Sequence, residues 1–396
     1  MKIYIVGIGM DGEKTLTADA KKAIENADVL IGAKRMTEPF TALGKPIIES
    51  WKSDEIRAYL DGCGKDTAAV LMSGDCGFFS GAEALIQQLS GYDTEIIPGI
   101  STPVYLCSKL GIPWQDMRFV SLHGTDSNIA VNVRRNAKCF FLLGGNVTPA
   151  DICKRLCEYG LSDVTVHIGA RLSYADEQIV SGVASELTEV SCDGLCAVIT
   201  ENNRPELLTQ YGIPDGEFER GSVPMTKSEI RAVLASKLKV CYNDIVWDIG
   251  CGTGSVSVEC ALAANDGAVY AVDKNDEAIT LTSRNARKFG CDNIHVISGN
   301  APDSLIGLPL PDKVFIGGAS GNISAIIDAA LGGENSPRIV INAVSLETLN
   351  EAVEALKKYG LKANITQLAA LRYKALGTHT MPDTQNPVFI IEGGAL

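Results

Sequence analysis

The sequence predicts an α/β protein of two modules, the second a doubly wound, Rossmann-like sheet. Three observations carry that prediction. Short apolar runs alternate with helical patterns along the whole chain, and glycine-rich turns directly follow several of those runs. One polar, Pro/Gly-rich stretch, Glu201-Asn-Asn-Arg-Pro to Tyr211-Gly-Ile-Pro-Asp-Gly, breaks the alternation near residue 210. A chain of 396 residues is long enough for two or three domains, each with its own core.

In the first module Lys2–Val6, Val29–Ile31, Ala68–Met72, Thr94–Ile97 and Arg118–Ser121 read as strands between helical segments, and a second series follows at Cys139–Leu143, Val164–Ile168, Glu177–Val180 and Leu195–Thr200. Beyond the break, a helix over Lys227–Lys237 leads into strands at Ile245–Asp248, Val269–Asp273, His295–Ser298, Lys313–Ile316 and Arg338–Asn342, with Asn386–Glu392 as a last strand. Thr226 and Glu229 have the T-x-x-E spacing of a capping box at the start of that helix. Strands alternating with helices give a sheet that binds ligands at the carboxyl ends of its strands, where the Asn300-Ala-Pro and Gly317-Gly318 turns would fall.

Composition narrows the function classes. Net charge is −13, and both parts share it: residues 1–210 hold 19 Lys+Arg against 27 Asp+Glu, the remainder 16 against 21. Neither has the basic surplus of a nucleic-acid binder, so an anionic small substrate would need locally placed cations. No apolar run approaches the roughly 18–20 residues of a membrane span. The N-terminus, a short strand meeting glycines, lacks a signal-peptide cleavage site, so a cytoplasmic protein is expected. Twelve cysteines then read as reduced thiols. Cys153/Cys157 and Cys192/Cys196 are spaced C-x-x-x-C, but no Cys/His cluster completes a metal site, and none is expected.

The most informative residues are Val246-Trp-Asp-Ile-Gly-Cys-Gly-Thr-Gly-Ser255. Glycines at 250, 252 and 254 allow positive φ and close backbone approach, so the loop can wrap a ligand at a helix N-terminus. The dinucleotide fingerprint G-x-G-x-x-G would need its third glycine at position 255, which is serine. The spacing D-x-G-x-G-x-G is instead that of the first motif of methyltransferases using S-adenosylmethionine (SAM). Asp273, ending Ala268-Val-Tyr-Ala-Val-Asp after the expected helix Val256–Asn265, can accept both ribose hydroxyls.

Near the N-terminus Gly7-Ile-Gly-Met-Asp-Gly12 formally matches G-x-G-x-x-G, but the strand Val29-Leu-Ile-Gly32 ends in glycine where a nucleotide site needs an acid. Two later loops point elsewhere. Leu71-Met-Ser-Gly-Asp-Cys-Gly-Phe-Phe-Ser80 and Ile97-Pro-Gly-Ile-Ser-Thr102 each open directly after a strand, and together they suggest a site assembled from several strand-end loops.

Residues 1–205 resemble the tetrapyrrole methylase superfamily, in particular its precorrin-7 C5-methyltransferase branch, through VGIG, ADVLIGAKR, SGDxGFFS, IPGIST, SLHG and GARLSYADEQIVSG. Residues 212–396 resemble the precorrin C15-methyltransferase (decarboxylating) family through GIPDGEF, VPMTKSEIRA, WDIGCGTGSVSVE, GNAP, FIGG and NPVFII. The order of the halves is that of the fused, bifunctional enzymes of cobalamin synthesis. The resemblance implies a two-subdomain tetrapyrrole methylase fold over 1–205, a linker and lead-in at 206–220, and a class I SAM-dependent methyltransferase fold over 221–396. It implies SAM as co-substrate, a precorrin or cobalt-precorrin as substrate, and a homo-oligomer.

Residue by residue, the resemblance places Gly74, Asp75, Ser101, Thr102 and Leu143 at one SAM site. Thr226, Gly250, Gly252, Thr253, Gly254, Asp273 and Ala301 fall at the other, with Ala301 against the adenine. Cations for a polycarboxylate macrocycle would be Lys34 and Arg35 in the first half and Lys227, Arg231, Arg372 and Lys374 in the second. Three departures stand out: Met10-Asp11 for Pro-Gly, Cys76 where the superfamily has proline, and Thr125 for the arginine after His123-Gly124. Methyl transfer from an activated donor is chiefly a matter of positioning. Accordingly none of the four histidines is assigned a role, and no general base is named. A second reading leaves catalysis to the C-terminal half alone, with the N-terminal half binding or channelling the corrinoid.

Overall fold

The computed structural model describes residues 1–10, 14–122, 128–145, 147–192, 194–206, 211–318, 321–332, 336–383 and 385–394. The chain forms two compact units. One comprises Met1–Thr125, Lys138–Asp151 and Thr165–Glu201; the other comprises Asp126–Ala137, Ile152–Val164 and Asn202–Leu396.

The first unit holds two five-stranded sheets. Strands β1 (Lys2–Gly7), β2 (Val29–Gly32), β3 (Ile47–Glu49), β4 (Thr67–Met72) and β5 (Asp93–Ile97) pair in parallel in the order β3-β2-β4-β1-β5. Alternation along β1 divides its packing. Ile3 and Ile5 join Ile56, Leu60 and Leu85 of two helices, while Val6 joins Ala20, Ala23 and Ile24 of a third. A parallel sheet covered on both faces follows. In the second sheet, β6 (Arg118–Ser121), β7 (Lys138–Leu142), β8 (Thr165–Ala170), β9 (Gln178–Val183) and β10 (Cys196–Glu201) run β6-β7-β10-β8-β9, with only β6 and β7 parallel.

The second unit is built on β11 (Ile245–Ile249), β12 (Ala268–Asp273), β13 (Ile294–Ser298), β14 (Lys313–Ile316), β15 (Arg338–Ala343), β16 (Asn364–Leu368) and, after a hairpin, β19 (Val388–Gly393). Their order is β13-β12-β11-β14-β15-β19-β16, with the first five parallel and β19 inserted antiparallel between β15 and β16. Because β12 and β14 flank β11 on opposite sides, the connections diverge at the carboxyl end of β11. The glycine loop therefore sits at the topological switch point, where such sheets bind ligands. The hairpin strands β17 (Arg372–Leu376) and β18 (His379–Asp383) pair only with each other.

One helix of the second unit, Ile129–Arg135, comes from the first half of the sequence. The N-terminus of the helix Ile129–Arg135 is capped by Asp292, whose carboxylate accepts from Ile129 N (2.8 Å), Ala130 N (2.9 Å) and Val131 N (3.1 Å). Asn132 Nδ2 donates to Asn265 O at 3.1 Å, Asn128 Nδ2 to Gly267 O at 3.1 Å, and Asn202 Nδ2 to Val133 O at 2.9 Å.

One expected helix start is corrected. The helix is Ser228–Leu238, its N-cap is Lys227, and no side chain caps it. Thr226 and Glu229 form no capping box because Glu229 is bound by Arg372, whose Nε and Nη2 donate at 3.0 and 2.5 Å. That guanidinium holds the Glu229 carboxyl down at about 2. Ion pairing with a fixed guanidinium is stronger than a hydrogen bond to a neutral backbone N–H.

Candidate functional site

The cavity over β11 encloses about 630 Å³, within the roughly 300–1,000 Å³ usual for small-molecule sites. Gly250, Gly252 and Gly254 have φ of 75°, 57° and 73°, the left-handed region the spacing predicts. Close approach enforces glycine as well. A Cβ on Gly250 would lie 2.7 Å from both N and O of Gly318, and one on Gly252 2.8 Å from Pro224 O. The loop is tied to β12 by Gly250 N to Val272 O at 2.9 Å, and the Gly317-Gly318 turn after β14 is tied to the end of β11 by Gly317 N to Ile249 O at 2.9 Å.

Asp273 stands on the same rim. Its carboxylate accepts from Gly252 N and Asn275 N, both at 3.0 Å, which fixes its orientation and leaves further lone pairs for a ligand. Thr226, Gly250, Gly252, Asp273 and Ala301 all line the cavity, as does Lys227. Thr253 and Gly254 lie behind it: Thr253 is buried with its carbonyl accepting from Asn285 Nδ2 at 2.8 Å, and Gly254 caps the helix Ser255–Ala263. Asn342, Val344 and Asn386 also line it. No sequence motif marks Asn342 or Val344, whose strand-end positions were the available signal, whereas Asn386 opens the NPVFII motif.

Below the loop, Asp248 is wholly buried, accepts from Ser257 Oγ through Oδ2 and has no partner for Oδ1. Burial pushes its carboxyl from 3.8 up to about 7. The folded chain therefore keeps a proton that the unfolded chain has released, so stability falls as pH rises from about 4 to 7 and the penalty is complete above that. Asp248→Asn should gain on the wild type by about 1.4 kcal/mol per pH unit across this window. Urea midpoints at pH 4.5 and pH 8 measure it; an equal difference at both would refute it.

Of the four expected substrate cations of this half, Lys227 lines the cavity and the other three are already paired within the protein. Arg231 is fully buried: its Nε donates to Glu259 at 2.6 Å, Nη1 faces Asp215 at 3.4 Å, and the carbonyls of Thr226 and Ile213 accept from its other donors. Glu259 accepts in turn from Gly212 N and Ile213 N, both at 3.0 Å. This network anchors the segment that brings Thr226 to the cavity. Arg372 is taken by Asp215 (2.8 Å) and Glu229, and Lys374 by Asp383 (2.6 Å). Lone charges are costly to bury, so the low-exposure cation is paired internally.

The first unit carries a second cavity, of about 200 Å³. Gly74, Asp75, Ser101, Thr102 and Leu143 all line it, with Met10, Arg35, Phe78, Phe79 and Tyr174. Lys34 stands exposed at the start of its short helix, outside that lining. Three loops meet here through bare backbone. Gly9 and Gly74 exchange hydrogen bonds of 3.0 and 2.7 Å, and a Cβ on Gly99 would fall 2.6 Å from Gly7 O and closer still to Gly74 O. Asp75 clamps the junction, accepting from Gly77 N (2.8 Å) and Gly99 N (3.0 Å). Cys76 points away into the core, its thiol 3.6 Å from Ile5 O and Ile97 O and pushed up to about 11 by burial. The Cys76 side chain is thus no part of this cavity's wall. Asp11, Gly12 and His123-Gly124-Thr125 lie outside the described residues.

Two strand-end cavities, one walled by glycine backbone with the Asp273 carboxylate on its rim and one lined by Gly74, Asp75, Ser101 and Thr102, define a methyltransferase of two α/β modules. Residues 2–188 match the family of tetrapyrrole (corrin/porphyrin) methylases, and residues 217–392 match the precorrin methyltransferase domain. The probable cobalt-precorrin-6B C(15)-methyltransferase (decarboxylating) of Pyrobaculum calidifontis is 47% identical over 183 residues, 46% of this chain and 94% of that one. The precorrin-6Y C(5,15)-methyltransferase (decarboxylating) of a Sinorhizobium species is 29% identical over 353 residues, 87% of this chain and 85% of its own length. A crystal structure of precorrin-6Y C5,15-methyltransferase from Geobacter metallireducens covers 47% of this chain and 98% of its own, with 38% identity and a TM-score of 0.43. The chain belongs to the fused precorrin C5,15-methyltransferase (decarboxylating) family, and SAM is the methyl donor of that family. Among the described residues no helix is long and apolar enough to cross a membrane.

Proposed function

We propose that this chain methylates a precorrin or cobalt-precorrin at C5 and C15 and removes the C12 acetate carboxyl as CO2, in cobalamin biosynthesis. Residues 1–205 carry the C5 transfer, 206–220 connect, and 221–396 carry the C15 transfer and decarboxylation. The observation that supports this most is a cavity at strand-end loops in each of the two units of one chain. The chain works in the cytoplasm as a homo-oligomer.

The residues present fit SAM. In the second site Asp273 would hold the ribose, Gly250 and Gly252 would admit the backbone-close part of the ligand, Ala301 would contact the adenine, and Thr226 would close the opposite wall. In the first, Gly74, Asp75, Ser101, Thr102 and Leu143 take the corresponding part. Bound there, SAM supplies a methyl group activated by its sulfonium. The protein's own contribution is to align donor and ring carbon and to exclude water, an entropic effect rather than acid–base work.

The test is direct. Purified full-length chain is incubated with SAM and precorrin-6B, metal-free or cobalt-loaded, and product mass and CO2 are followed. Gain of two methyl groups with loss of one CO2 is expected. Gain of one methyl group would instead favour the reading in which only the C-terminal half is catalytic. No gain with either macrocycle refutes both.

A further inference from the structure

Strand order divides the cavity over β11 into two sides. On one side of β11 stand β12 and β13, whose ends carry Asp273 and Asn300-Ala301; on the other stand β14, β15 and β19. All the nucleoside-facing residues assigned above lie on the first side, which leaves the second for the methyl acceptor. There Asn342 and Val344, two apart along the end of β15, both line the cavity, while Ala343 between them is buried in the core. Asn386 and Val388, at the start of β19, line it too. This side thus presents three amides, Asn342, Gln385 and Asn386, and two apolar side chains, and the lining cations come from Lys227 and Lys274. Val344 is 66% exposed, an apolar shelf at the mouth. The side-chain oxygen of Asn342 is buried with no hydrogen-bond partner. A carboxylate only accepts, so the donor that Asn342 can offer it is the amide N–H2, while the amide oxygen stays buried behind the wall.

We infer, resting on the function proposed above, that Asn342 holds the acetate carboxylate that the macrocycle loses, as a neutral hydrogen-bond clamp. The chemistry favours an amide here. In the step, the bond between the side-chain methylene and its carboxylate breaks and CO2 leaves. The electron pair moves into the conjugated ring, and a proton from water converts the methylene to methyl. Negative charge leaves the carboxylate as the reaction proceeds, so an ammonium partner would stabilise the ground state more than the transition state and slow the step. An amide orients the group without that penalty, and a second carboxylate can take Lys227.

Full-length Asn342→Ala and Asn342→Lys test this. Three readouts are needed: optical titration with macrocycle in the absence of SAM, calorimetry with SAM, and the ratio of CO2 released to methyl gained. Asn342→Ala should weaken macrocycle binding by about tenfold or more, the effect of one hydrogen bond to a charged group, with SAM affinity unchanged. Asn342→Lys should bind macrocycle at least as tightly as wild type, yet release about tenfold less CO2 per methyl group. Unaltered macrocycle binding in Asn342→Ala, or a wild-type CO2-to-methyl ratio in Asn342→Lys, overturns the inference. Failure of the wild-type chain to bind any macrocycle overturns the proposed function and this inference with it.

Discussion

Gly250→Ala should remove one of two SAM-binding events and leave the other. Gly250 has φ of 75°, where any Cβ is strained, and the added carbon would lie 2.7 Å from the backbone N and O of Gly318. Neither atom belongs to a flexible side chain, so β11 and β14 would have to part at the switch point. A displacement of a few tenths of an ångström is enough to spoil a site built from backbone contact. Gly99→Ala does the same to the first unit, since its Cβ would meet the carbonyl oxygens of Gly7 and Gly74. Calorimetry should give two SAM equivalents for wild type and one for each variant, with affinity at the damaged site reduced about a hundredfold or more. The double variant should bind none. Two equivalents in Gly250→Ala would show that the donor does not use this loop. Because stoichiometry is read without macrocycle, the result does not depend on the order of the two methylations.

Those glycines were legible in the sequence because their constraint is local. A strand followed by D-x-G-x-G-x-G specifies turn geometry within ten residues, and all three glycines do have positive φ. Strand positions were legible for the same reason: buried parallel strands such as Val29–Gly32 and Thr67–Met72 are continuous apolar runs. The hairpin β17–β18 was not, because its side chains are mostly exposed and carry no alternation. Two of the expected cations, Arg231 and Arg372, are committed elsewhere for a different reason. Arg231 meets Glu259 28 residues away and Arg372 meets Asp215 157 residues away, so nothing near either arginine reveals that it is already paired. Thr226 was placed correctly at the cavity yet wrongly as the cap, since a capping box competes with a guanidinium that arrives from the far end of the chain.

The longest-range of these features also gives the largest expected structural effect. Asp292 and the helix it caps are separated by about 160 residues, yet three consecutive backbone N–H groups donate to its buried carboxylate. The helix has no capping side chain of its own, because Asn128, its N-cap, donates to Gly267 O instead. Asp292→Ala therefore strands three buried donors, an expected loss of about 3–5 kcal/mol. Asp292→Asn keeps one oxygen for Ile129 and Ala130 but turns an N–H2 toward Val131 N, and should fall between. The consequence reaches beyond stability, because this helix belongs by sequence to the N-terminal half. A protease site placed at 207–210 of the full-length chain would, once cut, leave residues 1–206 attached only through such contacts. The cut wild type should run as one species on gel filtration, and cut Asp292→Ala should separate into two. Separation of the cut wild type, or co-elution of the cut variant, would show that Asp292 does not join the halves. If it does, fusion of the two methylases in one chain is reinforced by a shared fold, and a boundary drawn at residue 205 divides the sequence where it does not divide the structure.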